Sequence, residues 1–193
     1  MIWNVTGIFS SSSYLSDVLI EKNVHICGLS EHWLYPHNLD FLNALSMNYN
    51  VYAKCDKDLC VTSAKGAGKG GVALLWHKQL DHVVSSLSID DDRLIGVQHQ
   101  QSPLQYMYFI QVYLPCSNHT SLILRDYIDK FYSQWGTVVF LGDFNAKYTA
   151  DSPVTRDRLL YSLLCDTNMH STHFRYVKEL VILMCLMMIV VKV

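Results

Sequence analysis

The sequence predicts a layered domain in which strands and helices alternate, of the α/β or α+β class. Three observations carry that expectation. Short apolar runs of strand length alternate with stretches whose apolar residues recur at helical spacing. Half of the 193 residues are hydrophobic, so the chain has the material for a core and is not expected to stay disordered. No internal repeat or low-complexity linker interrupts it, and its length suits one domain.

In chain order, Met1–Val5 reads as a strand. Ser16–Lys22 reads as a short helix with Asp17 in its first turn. Val24–Leu29 is a buried strand ending at Ser30-Glu31-His32, Leu39–Ser46 is helical and Tyr49–Ala53 is extended. The polar, glycine-rich stretch Lys54–Gly71 is a loop, followed by the strand Gly71–Trp76. Leu94–Gln98 and Met107–Leu114 are further strands, the second stopped by Pro115. Thr120–Trp135 has helical spacing behind a polar Ser117-Asn118 start. Thr137–Leu141 is a strand that runs into Gly142-Asp143-Phe144-Asn145, and Arg158–Leu164 begins another helix.

Charge and cysteine usage narrow the function classes. A net charge of −2 and a pI near 6.5 argue against a protein that coats duplex DNA by bulk electrostatics. They leave room for a nuclease whose carboxylates are offset by a bound cation. Cys55 and Cys60 form a close pair, but no second close Cys or His pair completes a zinc pattern. Without a recognisable secretory leader the expectation is reduced thiols and an intracellular protein, nuclear or cytoplasmic, not secreted. The sequons at Asn4 and Asn118 then carry no glycosylation. The apolar run Leu180–Val191 is too short for a bilayer span, which takes about 20 residues. It is expected to be a buried strand or helix, with a short tail anchor as the alternative.

Polar residues recur where apolar strands end: Asn4, Glu31, Asp143 and Asn145. A carboxylate just past a buried strand is partly desolvated, and two brought together repel unless a cation lies between them. Magnesium prefers oxygen ligands and takes one or two protein carboxylates beside substrate phosphate. Taken singly, each residue has a plainer reading. Gly-Asp-Phe-Asn suits an Asx turn, Glu31 a solvated loop acid, Asn4 a strand terminus and Tyr113 a core or edge aromatic. Gly66-Ala67-Gly68-Lys69-Gly70-Gly71 fits the spacing of a dinucleotide loop, but a loop precedes it and a strand follows, where that motif needs the strand first and then a helix. It also fails as a Walker loop, because Lys69 is followed by Gly70. His32 and His77 show no ligand spacing and read as surface or partly buried histidines.

Read together, Trp3-Asn4-Val5-Thr6-Gly7 and Cys27-Gly28-Leu29-Ser30-Glu31-His32-Trp33 resemble the opening blocks of the endonuclease/exonuclease/phosphatase (DNase I-like) family. Gly70-Gly71-Val72-Ala73-Leu74-Leu75, Val112-Tyr113-Leu114-Pro115 and Leu141-Gly142-Asp143-Phe144-Asn145-Ala146 resemble its next three, in the same order. The Ser-Glu-His-Trp form is similar to LINE-type retrotransposon endonucleases. The resemblance implies a four-layer α/β sandwich of two packed, mainly antiparallel sheets flanked by helices. It implies a domain over 1–176, lacking the family's last strands, and a divergent hydrophobic tail over 177–193. It further implies magnesium- or manganese-dependent phosphodiester hydrolysis with DNA as substrate. Carried over by position, Glu31 binds the metal, Asp143 orients and deprotonates the attacking water, Asn145 contacts the phosphate, Asn4 supports the metal and Asp143, and Tyr113 donates to a phosphate oxygen. The family's closing Ser-Asp-His block, whose histidine helps stabilise the transition state, has no counterpart. Ser171-Thr172-His173 better matches the strand after the helix Arg158–Met169. A catalytically dead binding module and a small-phosphoester phosphatase therefore stay open as alternatives.

Overall fold

The computed structural model describes residues 1–56, 68–114, 137–146, 151–166, 170–173 and 186–191. Its elements run β1 (Ile2–Asn4), α1 (Ile8–Glu21), β2 (Ile26–Ser30), a 3-10 helix (Pro36–Ala44), β3 (Tyr49–Lys54), β4 (Val72–His77), a 3-10 turn (Lys78–Leu80) and β5 (Val84–Leu87). They continue with β6 (Leu94–Ser102), β7 (Gln105–Tyr113), β8 (Thr137–Asp143), α2 (Thr155–Asp166), β9 (His170–His173) and β10 (Leu186–Val191). The expected helix Thr120–Trp135 lies outside the described residues.

Two mixed sheets form the centre. The first has order β1-β2-β4-β3 and the second β5-β6-β7-β8-β10-β9. Each is mainly antiparallel, with one parallel pair, β1/β2 in the first and β7/β8 in the second. Strand residues alternate between faces, and that parity sorts the apolar side chains into three layers. Cys27, Leu29, Ala73 and Leu75 face α1, through Ile8, Leu15 and Leu19, and the 3-10 helix, through Leu42. Val72 and Leu74 of the first sheet meet Ile95, Val97, Val139 and Leu141 of the second. Leu94, Tyr108, Ile110, Val112, Val138 and Phe140 pack under Leu160, Leu163 and Leu164 of α2. Helix, sheet, sheet and helix thus stack as the four-layer sandwich that the resemblance implied.

Several elements differ in extent from their sequence reading. Helix α1 begins at Ile8, not Ser16. Serines favour local side-chain bonds over helix interiors, which masked its first turns. Here Ser10 and Ser12 donate to the carbonyls of Gly7 and Phe9, while Ile8, Leu15 and Leu19 supply one buried stripe. Burying such side chains stabilises by about 1.5–3 kcal/mol each, enough to override weak propensity. The helical stretch after Leu39 is a 3-10 helix opened by Pro36 at its first turn. Strand β5 was not foreseen, because Val84-Ser85-Ser86-Leu87 has only two apolar residues and lies at a sheet edge. His32 is not a surface or partly buried histidine but fully buried.

The apolar run Leu180–Val191 contains β10, which pairs with β8 from Leu186↔Asp143 to Val191↔Val138 and with β9 on its other side. Ser171-Thr172-His173 lies in β9, the strand after α2, as expected. Among the described residues no helix is long and apolar enough to cross a membrane.

Candidate active site

The parity that builds the inter-sheet layer also places polar groups at one of its ends. On β1 the inter-sheet positions are Ile2 and Asn4, on β2 Gly28 and Ser30, on β7 Phe109, Gln111 and Tyr113, and on β8 Val139, Leu141 and Asp143. β1 and β2 run parallel, as do β7 and β8, so their carboxyl ends form one corner. There Tyr113 lies opposite Asp143 in register, with its ring half-buried against the inter-sheet core.

Asn4 joins the two sheets. Its Nδ2 donates to Asp143 Oδ2 at 2.8 Å and to Glu31 Oε1 at 3.1 Å. Its Oδ1 accepts from Thr6 N at 3.1 Å and Thr6 Oγ1 at 3.2 Å, which fixes the orientation of the amide. The second oxygen of Asp143 accepts from Asn145 N at 2.9 Å, and Asn145 Nδ2 donates to Leu114 O at 2.8 Å. The Asx turn expected for Gly-Asp-Phe-Asn is therefore present, and the same residues meet Asn4 and Leu114. Glu31 and Asn145 adopt left-handed backbone, with φ of 58° and 47°, uncommon for residues other than glycine and concentrated at functional sites. All four strand-end residues singled out in the sequence come together, with Tyr113 beside them.

Two carboxylate oxygens within about 3 Å of a single nitrogen form a strongly negative corner. Asp143 is buried, and desolvation pushes its carboxyl above the ordinary value. The bonds from Asn145 and Asn4 pull it back, Glu31 pushes it up again, and the positive charge of Arg156 on α2 opposes that. Repulsion between partly buried like charges at such range is on the order of a few kcal/mol. A hard divalent cation fits this donor set, which is all oxygen and has an excess of negative charge. Among the described residues there is no group of three or more His, Cys, Asp and Glu that could hold a metal, so Glu31 and Asp143 are the only two acids the corner would offer a cation.

Several residues that sequence reasoning passed over shape the corner. Glu31 N donates to Gly71 O at 2.8 Å and Trp33 N to Gly70 O at 3.1 Å, so the glycine run cradles the Glu31 loop rather than a nucleotide. Gly71 must lack a side chain, because a Cβ would sit 2.4 Å from the His32 ring and its φ is 87°. His32 Nδ1 accepts from Leu34 N at 3.0 Å, which leaves Nε2–H to donate to Lys54 O at 3.0 Å. Burial holds this imidazole below its ordinary pKa, in the neutral form that the pairing requires. Gln111 is fully buried and donates through Nε2 to Ser30 Oγ at 2.8 Å. One signal was available for it: a lone amide in the otherwise apolar strand Met107–Leu114.

A two-sheet sandwich with an amide-bridged pair of acids at its strand ends is a DNase I-like architecture. The chain belongs to the endonuclease/exonuclease/phosphatase family, whose pattern matches residues 1–176. A search of curated proteins finds no match. Among solved structures, the AP endonuclease LMAP from Leishmania major superposes with a TM-score of 0.71 at 14% identity, covering 98% of this chain and 77% of that one. The 3' phosphatase NExo from Neisseria, bound to a product DNA hairpin, gives 0.66 at 15% identity, covering 98% and 84%. An AP endonuclease from Archaeoglobus fulgidus gives 0.62 at 15% identity, with the same coverage of 98% and 84%. At these identities the likeness establishes the fold.

Proposed function

We propose that this chain is a magnesium- or manganese-dependent phosphodiesterase acting on DNA, an endonuclease of the LINE-type retroelement branch. The observation that carries the reading is the Asn4 bridge, which gathers Glu31 and Asp143 from two different sheets around one nitrogen. The Ser-Glu-His-Trp form of residues 30–33 supports the retroelement branch. That NExo is seen with a DNA product supports a nucleic-acid substrate.

In this reading Glu31, with Asn4 beside it, would hold the cation, which when bound supplies charge neutralisation at the phosphate. Asp143 orients the attacking water and takes its proton. Asn145 and Tyr113 bind phosphate oxygens through neutral donors and so add no negative charge to the corner. With a net charge of −2, affinity for DNA rests on these local groups rather than on a basic surface.

Plasmid nicking by the purified chain, with Mg2+ or Mn2+ and with a chelator control, tests the assignment. Glu31→Gln and Asp143→Asn are each expected to lower cleavage by about 100- to 10,000-fold. A chain that neither nicks DNA nor binds either cation ends the enzyme reading. A second reading, a binding module without catalysis, draws on the absence of a Ser-Asp-His block in these 193 residues. DNA binding indifferent to Glu31→Gln, with no cleavage, would favour it. Hydrolysis of small phosphoesters with DNA left intact would replace the nuclease by a phosphatase.

A further inference from the structure

Gln111 is anomalous in its surroundings. It has no solvent exposure, and its register partners across the sheet, Leu141 on β8 and Ile95 on β6, are apolar residues of the inter-sheet core. One end of its amide is used, Nε2 donating to Ser30 Oγ at 2.8 Å; a contact to Val112 O at 3.5 Å is at the limit of a hydrogen bond. The other end, Oε1, is buried without a hydrogen-bond partner. A buried orphan acceptor keeps the full cost of its desolvation, and a methionine or leucine would fill the space without that cost. The opposite sheet makes room for it: a Cβ on Gly28 would lie 1.9 Å from Oε1, so only glycine fits there. The hydrogen that glycine carries in that direction points at Oε1, a weak C–H contact that offsets part of the loss.

We infer that Gln111 is a positioning residue of the active site, a tie beneath the two acids that fixes the height of one sheet against the other there. Sheets packed through apolar side chains are held by non-directional contacts, which specify little about sliding. The candidate site needs that relation fixed, because Glu31 follows β2 of one sheet and Asp143 ends β8 of the other. Gln111 crosses the gap one residue inward from Glu31, at Ser30, and two residues inward from Tyr113, which is in register with Asp143. With Asn4 it makes two directional links between the sheets beside the two acids, one at the mouth and one directly beneath. An error of about 1 Å in such a pair costs on the order of 100-fold in rate. The inference rests on the proposed function for its catalytic consequence, and its structural core stands apart from it.

Gln111→Met keeps the shape and removes the bond to Ser30; Ser30→Ala removes the same bond from the other side and is the milder change. Both are expected to melt within a few degrees of the wild type while kcat for DNA cleavage falls at least ten-fold, KM changes little and the stabilisation by Mg2+ shrinks. The double variant is expected to be no worse than the more impaired single one. Independent of any turnover, the Asn4 side-chain amide protons, shielded between Glu31 and Asp143, should exchange faster with solvent in both variants. Unchanged exchange at Asn4 in a folded Gln111→Met, or losses that add in the double variant, overturns the inference. A wild-type chain that cuts nothing but whose Asn4 protection drops on Ser30→Ala would instead remove the proposed function and leave the tie standing.

Discussion

Asp143 carries two opposed demands. The role proposed for it needs a negative charge, yet its place in β8 buries it, and burial is the largest influence raising its pKa. A carboxyl whose folded pKa lies above the unfolded value weakens the fold in its ionised form. The penalty is complete above the folded pKa and lifts as pH falls towards the unfolded one. Without divalent cations, Asp143→Asn should therefore raise the melting temperature at neutral pH, even as it removes cleavage; a calorimetric scan at pH 7 and again near pH 4 should show the gain shrinking. Added Mg2+ should stabilise the wild type more than the variant, since Glu31 remains in both but only the wild type has the repulsion that the cation offsets. Cys27 illustrates burial without function. Desolvation pushes its thiol to about 12, so at pH 8 a disulfide-exchange reagent should modify it only after unfolding. Asn4, Glu31, Asp143 and Asn145 were legible because each follows or ends an apolar strand. Ser30 and Arg156 were not, and Gln111 showed only as a lone amide in an apolar strand, because their importance lies in what another element presents to them.

At the scale of the element, the strands are specified by their own alternation and the turns by glycines whose partners are distant. Gly142 shows the second case. Its φ is 145° and a Cβ would lie 1.9 Å from Val112 O on the neighbouring strand. Gly142→Ala should destabilise the fold by about 1–3 kcal/mol or more through forced overpacking, read as a lower urea midpoint. It should also impair cleavage, since Asp143 is the next residue. The first turns of α1 were illegible in a serine-rich segment whose helicity comes from packing Ile8, Leu15 and Leu19, not from propensity. β5 was missed for a related reason: an edge strand needs one buried face only, and Val84 supplies most of it.

For the whole molecule, the strand reading of the apolar C-terminal run holds for residues 186–191, and what the sequence did not give is its place in the sheet. β10 lies between β8 and β9, paired along β8 from Asp143 to Val138. It covers the edge of the strand that ends in Asp143. A chain ending at residue 185 would leave β8 with an open, strongly apolar edge, the kind of surface that templates aggregation. Such a chain should elute as large oligomers in size-exclusion chromatography where the full chain elutes as a discrete species. A truncated chain that stays monodisperse would show that β10 is dispensable to the sheet.

Sequence by itself determined the layering, the order of most strands and the residues at their ends, because alternation, glycine placement and burial are local properties of a chain. It also carried the argument behind the proposed chemistry, since two carboxylates brought together past apolar strands repel unless a cation lies between them. Only the tertiary structure decided that Asn4 holds Glu31 and Asp143 to one nitrogen, that Gln111 reaches Ser30 through a notch at Gly28, and that residues 186–191 complete a sheet. Those are relations between segments far apart in the chain. They depend on how two sheets seat against each other, which no local pattern encodes.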